Sequence, residues 1–305
     1  MQEILSKTDA KDYLYMARSS DFCSVKFGGY FEYLFLPKTT SDFCSLIADF
    51  ERKNIVYKVL GNMTNIIPGD DVMRGVFVST KFIKNLSIDG SRITAVAGVS
   101  MAELCKCALD NSLGGIEKLF GIPGSVGGAV VNNAGAFGQE ISQTLESILV
   151  LSGGKMRSIS AREAEFGYRK SVFQKNKQII LSATFMLHKA NKDDILSSMM
   201  ESACKRKNSQ PSAPSAGSVF KAYNGISAGK LIDECGLKGV TCGEAQISTK
   251  HANFIVNNGG ATSKDYKTLV ELAHKSVLDK FGINLLREVE YIGETHEGFG
   301  RLSHT

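Results

Sequence analysis

Residues 121–138, GIPGSVGGAVVNNAGAFG, carry six glycines (Gly121, Gly124, Gly127, Gly128, Gly135 and Gly138), about three times the density of the whole chain. Glycine lets main-chain N–H groups approach a ligand closely and adopt positive φ, so such a run can cradle a pyrophosphate or let a flat ring lie against backbone. A region of tight turns and bulges would use the same residues, and glycine content alone leaves both readings open. The G-x-G-x-x-G arrangement that opens a helix after a strand is absent, which makes a Rossmann-type site the weaker reading. Elsewhere His251 could serve as an acid or base near neutral pH. Arg169, Ser218 and Glu288 each have a plain reading when taken singly: a surface cation, a loop hydroxyl and the solvent face of a strand. The seven cysteines, Cys23, Cys44, Cys105, Cys107, Cys204, Cys235 and Cys242, form no C-x-x-C pair and have no histidine at zinc-ligand spacing. They read as reduced, mostly structural thiols, with no metal site.

The stretch LFGIPGSVGGAVVNNAGAFGQEI resembles the signature of UDP-N-acetylenolpyruvoylglucosamine reductases, GIPG, a small residue, a hydrophobe, GGA and then NAGA. In that family the loop lines FAD. The resemblance implies that Gly121, Ile122, Pro123, Gly124, Ser125, Gly127, Gly128, Asn133, Ala134 and Gly135 contact the cofactor, bound noncovalently. Upstream, VLGNMTNIIPGDD resembles the family's LGxGSN segment, whose backbone binds the FAD phosphates, and so adds Gly61, Asn62, Met63, Thr64 and Asn65. Here Met63 replaces the second glycine and Thr64 the serine. Gly28, Gly29 and Pro37 stand where the wider flavoprotein superfamily has a glycine pair and a proline.

By the same resemblance FGYRKS, SAGSVFK and LLREVEYIG supply the active-site Arg169, the proton-donating Ser218 and Glu288, with Tyr168 and Lys221 expected to touch substrate. The chemistry explains the residue types. An enol ether accepts hydride only if its conjugated carboxylate can take up the developing charge, which calls for a cation beside that carboxylate. The planar, permanently charged guanidinium of Arg169 suits this. Hydride from reduced flavin reaches C3 of the enolpyruvyl group, and Ser218 protonates C2; a serine hydroxyl is acid enough only for so basic a partner held at hydrogen-bond distance. Glu288 completes the polar pocket. The run GSVFKAYNGISAGKLIDECGLKGVTCGEAQISTKHANFIVN follows the family in almost every block, although Ala222-Tyr223 stands where the family has Asn-Pro or Arg-Pro. His251, inside KHANFIVN, is assigned a structural role. The family has two types, one with an inserted loop after the arginine motif that carries a tyrosine over the substrate; the chain passes from Arg169 to the strand near Gln178 in nine residues, so it resembles the second type, without that lid and with a more open cleft.

These residues need elements to hold them. In TTSDFCSLIADFERK, residues 39–53, Phe43, Leu46, Ile47 and Phe50 make one apolar helix face behind capping residues. A strand from Ile55 to Leu60, a turn at Gly61-Asn62 and a β-rich run Gly75–Val78 follow. Ile93–Ala97 reads as a strand, and Ser100 with Glu103 as a capping box opening a helix to about Asp110. Strands at Ser147–Leu151 and Gln178–Met186 flank FGYRKSVF. Residues 209–218, SQPSAPSAGS, read as irregular backbone beside a domain junction near residue 200. Beyond it come short helix Ser227–Cys235 and a longer one, Ser263–Phe281, stopped by Gly282. The tail, 294–305, is polar and expected to be loosely held.

The expected fold class is α+β: a two-part FAD-binding domain like that of the vanillyl-alcohol-oxidase-like flavoproteins (1–80 and 81–200) plus a smaller α+β substrate domain (201–305). At 305 residues, 43% hydrophobic and 22% charged, the composition is that of a multidomain soluble protein. No apolar run reaches the roughly 18 residues of a membrane span, and the N-terminus lacks a signal-peptide core. A cytoplasmic location is expected. The net charge of +5 is spread without a basic block, which argues against nucleic acid. The expected partners are UDP-N-acetylglucosamine enolpyruvate and NADPH. Two alternatives are another member of the flavoprotein superfamily, an alcohol oxidase or lactate-type dehydrogenase, and a flavin-binding protein without turnover; NADPH oxidation dependent on the enolpyruvyl nucleotide separates all three.

Overall fold

A computed structural model gives the fold, described for residues 13–176 and 178–293. Along the chain come β1 (Tyr13–Arg18), β2 (Tyr30–Phe35), α1 (Thr40–Arg52), β3 (Tyr57–Leu60), β4 (Ile66–Pro68), β5 (Val72–Ser79), β6 (Leu86–Asp89) and β7 (Arg92–Val96). Then follow α2 (Met101–Asp110), α3 (Val126–Val131), β8 (Leu145–Ser152), β9 (Lys155–Ser160), β10 (Ile179–Met186) and α4 (Lys192–Ser209). The last are β11 (Ser215–Ser218), α5 (Ala228–Glu234), β12 (Thr241–Cys242), β13 (Ala245–Ile247), β14 (Phe254–Asn257), α6 (Ser263–Phe281) and β15 (Glu290–Ile292). The mixture of helix and strand is the α+β class expected.

The described chain divides into two compact units that interleave in sequence: 13–14, 34–62 and 76–205 in the first, 15–33, 63–75 and 206–293 in the second. These bounds cut across the consecutive segments 1–80, 81–200 and 201–305. Residue 200 itself lies inside α4, so the expected junction is helical.

In the first unit α1 follows its apolar spacing. Thr39 caps it, accepting from the Asp42 amide, and Phe43, Leu46, Ile47 and Phe50 are all buried. β3 pairs in parallel with the end of β5. A five-stranded antiparallel sheet, order β9-β8-β10-β7-β6, is the main scaffold. Its apolar side chains share one core with Met101, Leu104, Cys105 and Ala108 of α2 and Val126, Ala129 and Val130 of α3. The Ser100–Glu103 capping box forms in full, each side chain accepting from the other's amide.

In the second unit β11-β14-β13-β12 form an antiparallel sheet against which α6 packs. The face Tyr266, Leu269, Val270, Ala273 and Val277 is buried. The Asp70 carboxylate accepts the first-turn amides of Ser263 (2.7 Å) and Lys264 (3.1 Å), and Gly282 ends the helix at φ +67°. β15 pairs in parallel with β4. The stretch expected to be irregular is shorter than 209–218: α4 runs to Ser209 and β11 begins at Ser215. Strand pairing to Phe254 overrides the weak local preference of Ser-Ala-Gly-Ser. The expectation for the tail, 294–305, lies outside the described residues.

Candidate functional site

The glycine-rich run is folded around α3 in the first unit. Gly121 (φ +81°) and Gly124 (φ +127°) hold conformations that favour glycine. Val126 N–H donates to Val99 O at 2.8 Å and Gly127 N–H to Ala97 O at 2.9 Å. A Cβ on Gly127 would stand 2.9 Å from that of Ala97, so this glycine permits close packing on the backbone after β7. Gly128 N–H reaches only the Ser125 hydroxyl, at 3.4 Å. The amides of Gly124 and Ser125 have no acceptor among the described residues, and Ser125 is buried. Asn62, in the turn after β3, holds its Oδ1 buried with no hydrogen-bond partner among the described residues. Buried polar groups left over by the fold are costly unless something pairs with them; the free amides are donors that fit acceptors such as the FAD phosphates, whereas Asn62 Oδ1 is an acceptor that calls for a hydroxyl or N–H.

Asn133 (φ +41°, 1% exposed) behaves differently. Its Nδ2 donates to Glu140 Oε2 (2.8 Å) and Gly167 O (2.9 Å), and its Oδ1 accepts the Ser142 amide at 3.3 Å. The side chain thus ties the Asn133-Ala134-Gly135 turn to the FGYRKS turn. There Gly167 and Lys170 pair across a tight bend and Arg169 sits at φ +51°. Arg169 Nη1 donates to Asn133 O at 3.3 Å and Nη2 to Gly135 O at 2.8 Å. The guanidinium also lies 5.4 Å from the ring centroid of Tyr168, which is 53% exposed. Arg169 is therefore a half-buried cation whose fork is fastened to the carbonyls of the glycine-rich turn, a placement that its sequence neighbours gave no hint of.

In the second unit the remaining residues meet along one stretch of main chain. Ser218 ends β11 opposite Phe254, after a shift of register, with Gly217 at φ +80° before it. It is half-buried, and its hydroxyl has no hydrogen-bond partner among the described residues. Val219 O accepts the Glu288 amide at 2.8 Å, and Lys221 N–H donates to Leu286 O at 2.8 Å. Backbone bonds thus tie the residue after Ser218 to Glu288 and Lys221 to Leu286, while Arg169 belongs to the first unit. Asn65 Nδ2 donates to Glu288 O at 2.9 Å and Asn65 O accepts the Glu290 amide at 3.0 Å, so this side chain holds the Glu288 strand. Met63 is buried and sits in a left-handed conformation (φ +52°) that favours glycine, with its sulfur 4.0 Å from Cys23 Sγ.

His251 is structural in its contacts: Nδ1 accepts the Asn253 amide at 3.2 Å and the ring meets Phe254 edge-on at 5.0 Å. Burial, with Lys238 adding to it, pushes its pKa below the ordinary value. Two residues of the same KHANFIVN motif went unassigned by sequence reasoning. Asn253 clamps Val219 and Phe220, and Asn257 gathers the amides of Gly259, Gly260 and Ala261 on Oδ1 while donating to Val25 O and Lys26 O. The available signal was two carboxamides in a run otherwise apolar enough to be buried, where each must find partners. No helix among the described residues is long and apolar enough to cross a membrane, and all seven cysteines are free thiols.

Residues 210–292 match the family described as UDP-N-acetylenolpyruvoylglucosamine reductase, C-terminal domain, and residues 31–160 match the FAD binding domain family. The chain is 38% identical over 299 residues to the UDP-N-acetylenolpyruvoylglucosamine reductase of Clostridium novyi (strain NT), covering 97% of this chain and 96% of that relative. Against the enzyme of the same name from Lactobacillus acidophilus identity is 40% over 288 residues, 94% of this chain and 96% of the relative. Among solved structures, UDP-N-acetylenolpyruvylglucosamine reductase from Thermus caldophilus superposes with a TM-score of 0.77 at 32% identity, covering 92% of this chain and 98% of that one.

Proposed function

The chain belongs to the UDP-N-acetylenolpyruvoylglucosamine reductase family, and we propose that it reduces UDP-N-acetylglucosamine enolpyruvate to UDP-N-acetylmuramate, with NADPH as reductant, in the cytoplasmic synthesis of peptidoglycan precursors. FAD is the cofactor and, when bound, supplies the hydride for C3 of the enolpyruvyl group. We assign its phosphates to the backbone of the turn Gly61–Asn65 and to the amides of Gly124 and Ser125, and a donor group of the cofactor to Asn62 Oδ1, which lacks a partner among the described residues. The rest of the 121–135 run lies along the cofactor as backbone, because Asn133 already spends its side chain inside the protein.

Each protein group then has one task. Arg169 binds the substrate carboxylate and stabilises the charge that develops there. Fastening Nη1 and Nη2 to two carbonyls sets the plane of the fork before substrate arrives, which lowers the ordering cost of binding. Ser218 Oγ gives its proton to C2 as the C=C π bond opens, so that C3 gains hydride, C2 gains the proton and the alkoxide left on Ser218 recovers its proton from solvent. Glu288, bonded through its main chain to the residue after Ser218, orients the reacting group, while Tyr168 and Lys221 contact substrate. Only a single tight helical turn, Val172–Gln174, lies between Arg169 and β10 among the described residues, which supports the type of reductase without a tyrosine-bearing lid.

The observation that carries this reading is a half-buried serine hydroxyl with no hydrogen-bond partner among the described residues, next to Val219, whose carbonyl accepts the amide of Glu288. Ser218→Ala tests it. Stopped-flow measurement should find flavin reduction by NADPH intact and reoxidation by the enolpyruvyl nucleotide slowed by about two to four decades, the usual worth of a general acid. Equal slowing of both half-reactions would remove Ser218 from the protonation step.

A further inference from the structure

Ser218 makes no hydrogen bond through its own side chain to the described residues, and β11 reaches it only after its register against β14 has slipped. Strand pairing alone therefore does not fix where its hydroxyl points. The two residues that follow are fixed, and by one side chain. Asn253 Oδ1 accepts the Phe220 amide at 2.9 Å, and its Nδ2 donates to Phe220 O at 2.8 Å. The main-chain carbonyl of Asn253 accepts the Val219 amide, also at 2.8 Å. On the other side Val219 O takes the Glu288 amide. The Val219-Phe220 backbone is thus a strut between Ser218 and Glu288 with Asn253 closing one side of it.

We propose, resting on the reading of Ser218 as proton donor, that Asn253 is a positioning residue for the protonation step, its carboxamide standing in for a strand partner. The residue type is demanded by the pattern. A planar group with one acceptor and one donor answers an N–H and a C=O of the same residue, as a neighbouring strand would. Aspartate keeps the acceptor and loses the donor; alanine loses both. Phe220 is 2% exposed and Asn253 5%, so water cannot easily replace either bond. The main-chain N–H of Asn253 in turn donates a hydrogen bond to His251 Nδ1, which holds the backbone that carries the carboxamide.

The test compares Asn253→Asp, Asn253→Ala and Ser218→Ala as holoenzymes by stopped-flow, with flavin content and melting temperature recorded. Displacing a catalytic group by about an ångström costs on the order of a hundredfold. Reoxidation of N253D by the enolpyruvyl nucleotide should therefore slow about a hundredfold, with flavin content and reduction by NADPH unchanged and N253A slower still. Wild-type reoxidation in N253D, equal slowing of both half-reactions, or loss of flavin or folding in N253D would each overturn the proposal. Ser218→Ala keeps the two ideas apart. If S218A is slow and N253D is normal, positioning fails and the serine stands; if S218A reoxidises normally, the proton-donor reading falls first.

Discussion

At Met63 two energies oppose each other. A side chain at φ +52° pays about 1–2 kcal/mol relative to glycine for the left-handed conformation. The same side chain is 3% exposed, and removing a buried methionine down to alanine costs about 2–5 kcal/mol in lost transfer energy and cavity. Burial wins, so Met63→Gly, although it restores the family's residue, should destabilise the protein by about 1–3 kcal/mol in urea denaturation; a gain would show that strain dominates. Arg169 supplies a second expectation at this scale. A lysine ammonium keeps the charge but cannot span the carbonyls of Asn133 and Gly135 in one plane, so Arg169→Lys should lose turnover nearly as far as Arg169→Ala, and near-normal steady-state rates for the lysine variant would reject the fork. Motif order alone pointed to Arg169, Ser218 and Glu288. Nothing local in the sequence gave the carbonyl contacts of Arg169 or the clamp of Asn253, because the partners of Arg169 lie 36 and 34 residues away and that of Asn253 lies 33 away.

Among the elements, legibility followed burial. α1 and α6 were readable because their apolar residues recur on one face that the fold then buries, and α2 because its capping box is local. β9 left no trace, since five of its six residues are exposed and no alternation is selected. α4 buries only Ile195, Met199 and Ser202, too little apolar spacing over its length to stand out, and α3 is built on glycines that disfavour helix. The cap of α2 also carries a pH dependence. Burial raises the Glu103 pKa, but hydrogen bonds from Ser100 and Lys84 outweigh it and hold the carboxyl at about 2, against an ordinary 4.5. A lowered folded value means that its stabilisation is full above about pH 4.5 and is lost as pH falls through 2. Glu103→Gln should flatten the stability curve across that window in pH-dependent melting, and Ser100→Ala should cost about 1 kcal/mol at neutral pH.

For the whole molecule, composition and spacing could suggest consecutive segments but not the interleaving of 15–33 and 63–75 with 206–293. Pairings across such separations are set by side chains that meet only in the folded state. Substrate binding should be visible on the same scale: adding UDP-N-acetylglucosamine enolpyruvate should raise hydrogen-exchange protection in residues 209–225 and around Glu288. Protection concentrated in 168–178 instead would reveal a lid in the segment after Arg169. The bond from Asn65 to Glu288 spans 223 residues, and the Asn257 amide reaches back 232 to Val25. A ribosome adding about 5–20 residues per second needs on the order of 10–45 s to make the partner of Asn65 after Asn65 itself has emerged. All strands of the five-stranded sheet, 86–186, are synthesised within that interval. The nascent N-terminal strands of the second unit must wait, and a message cut short before codon 288 would leave them without the segment that completes their fold.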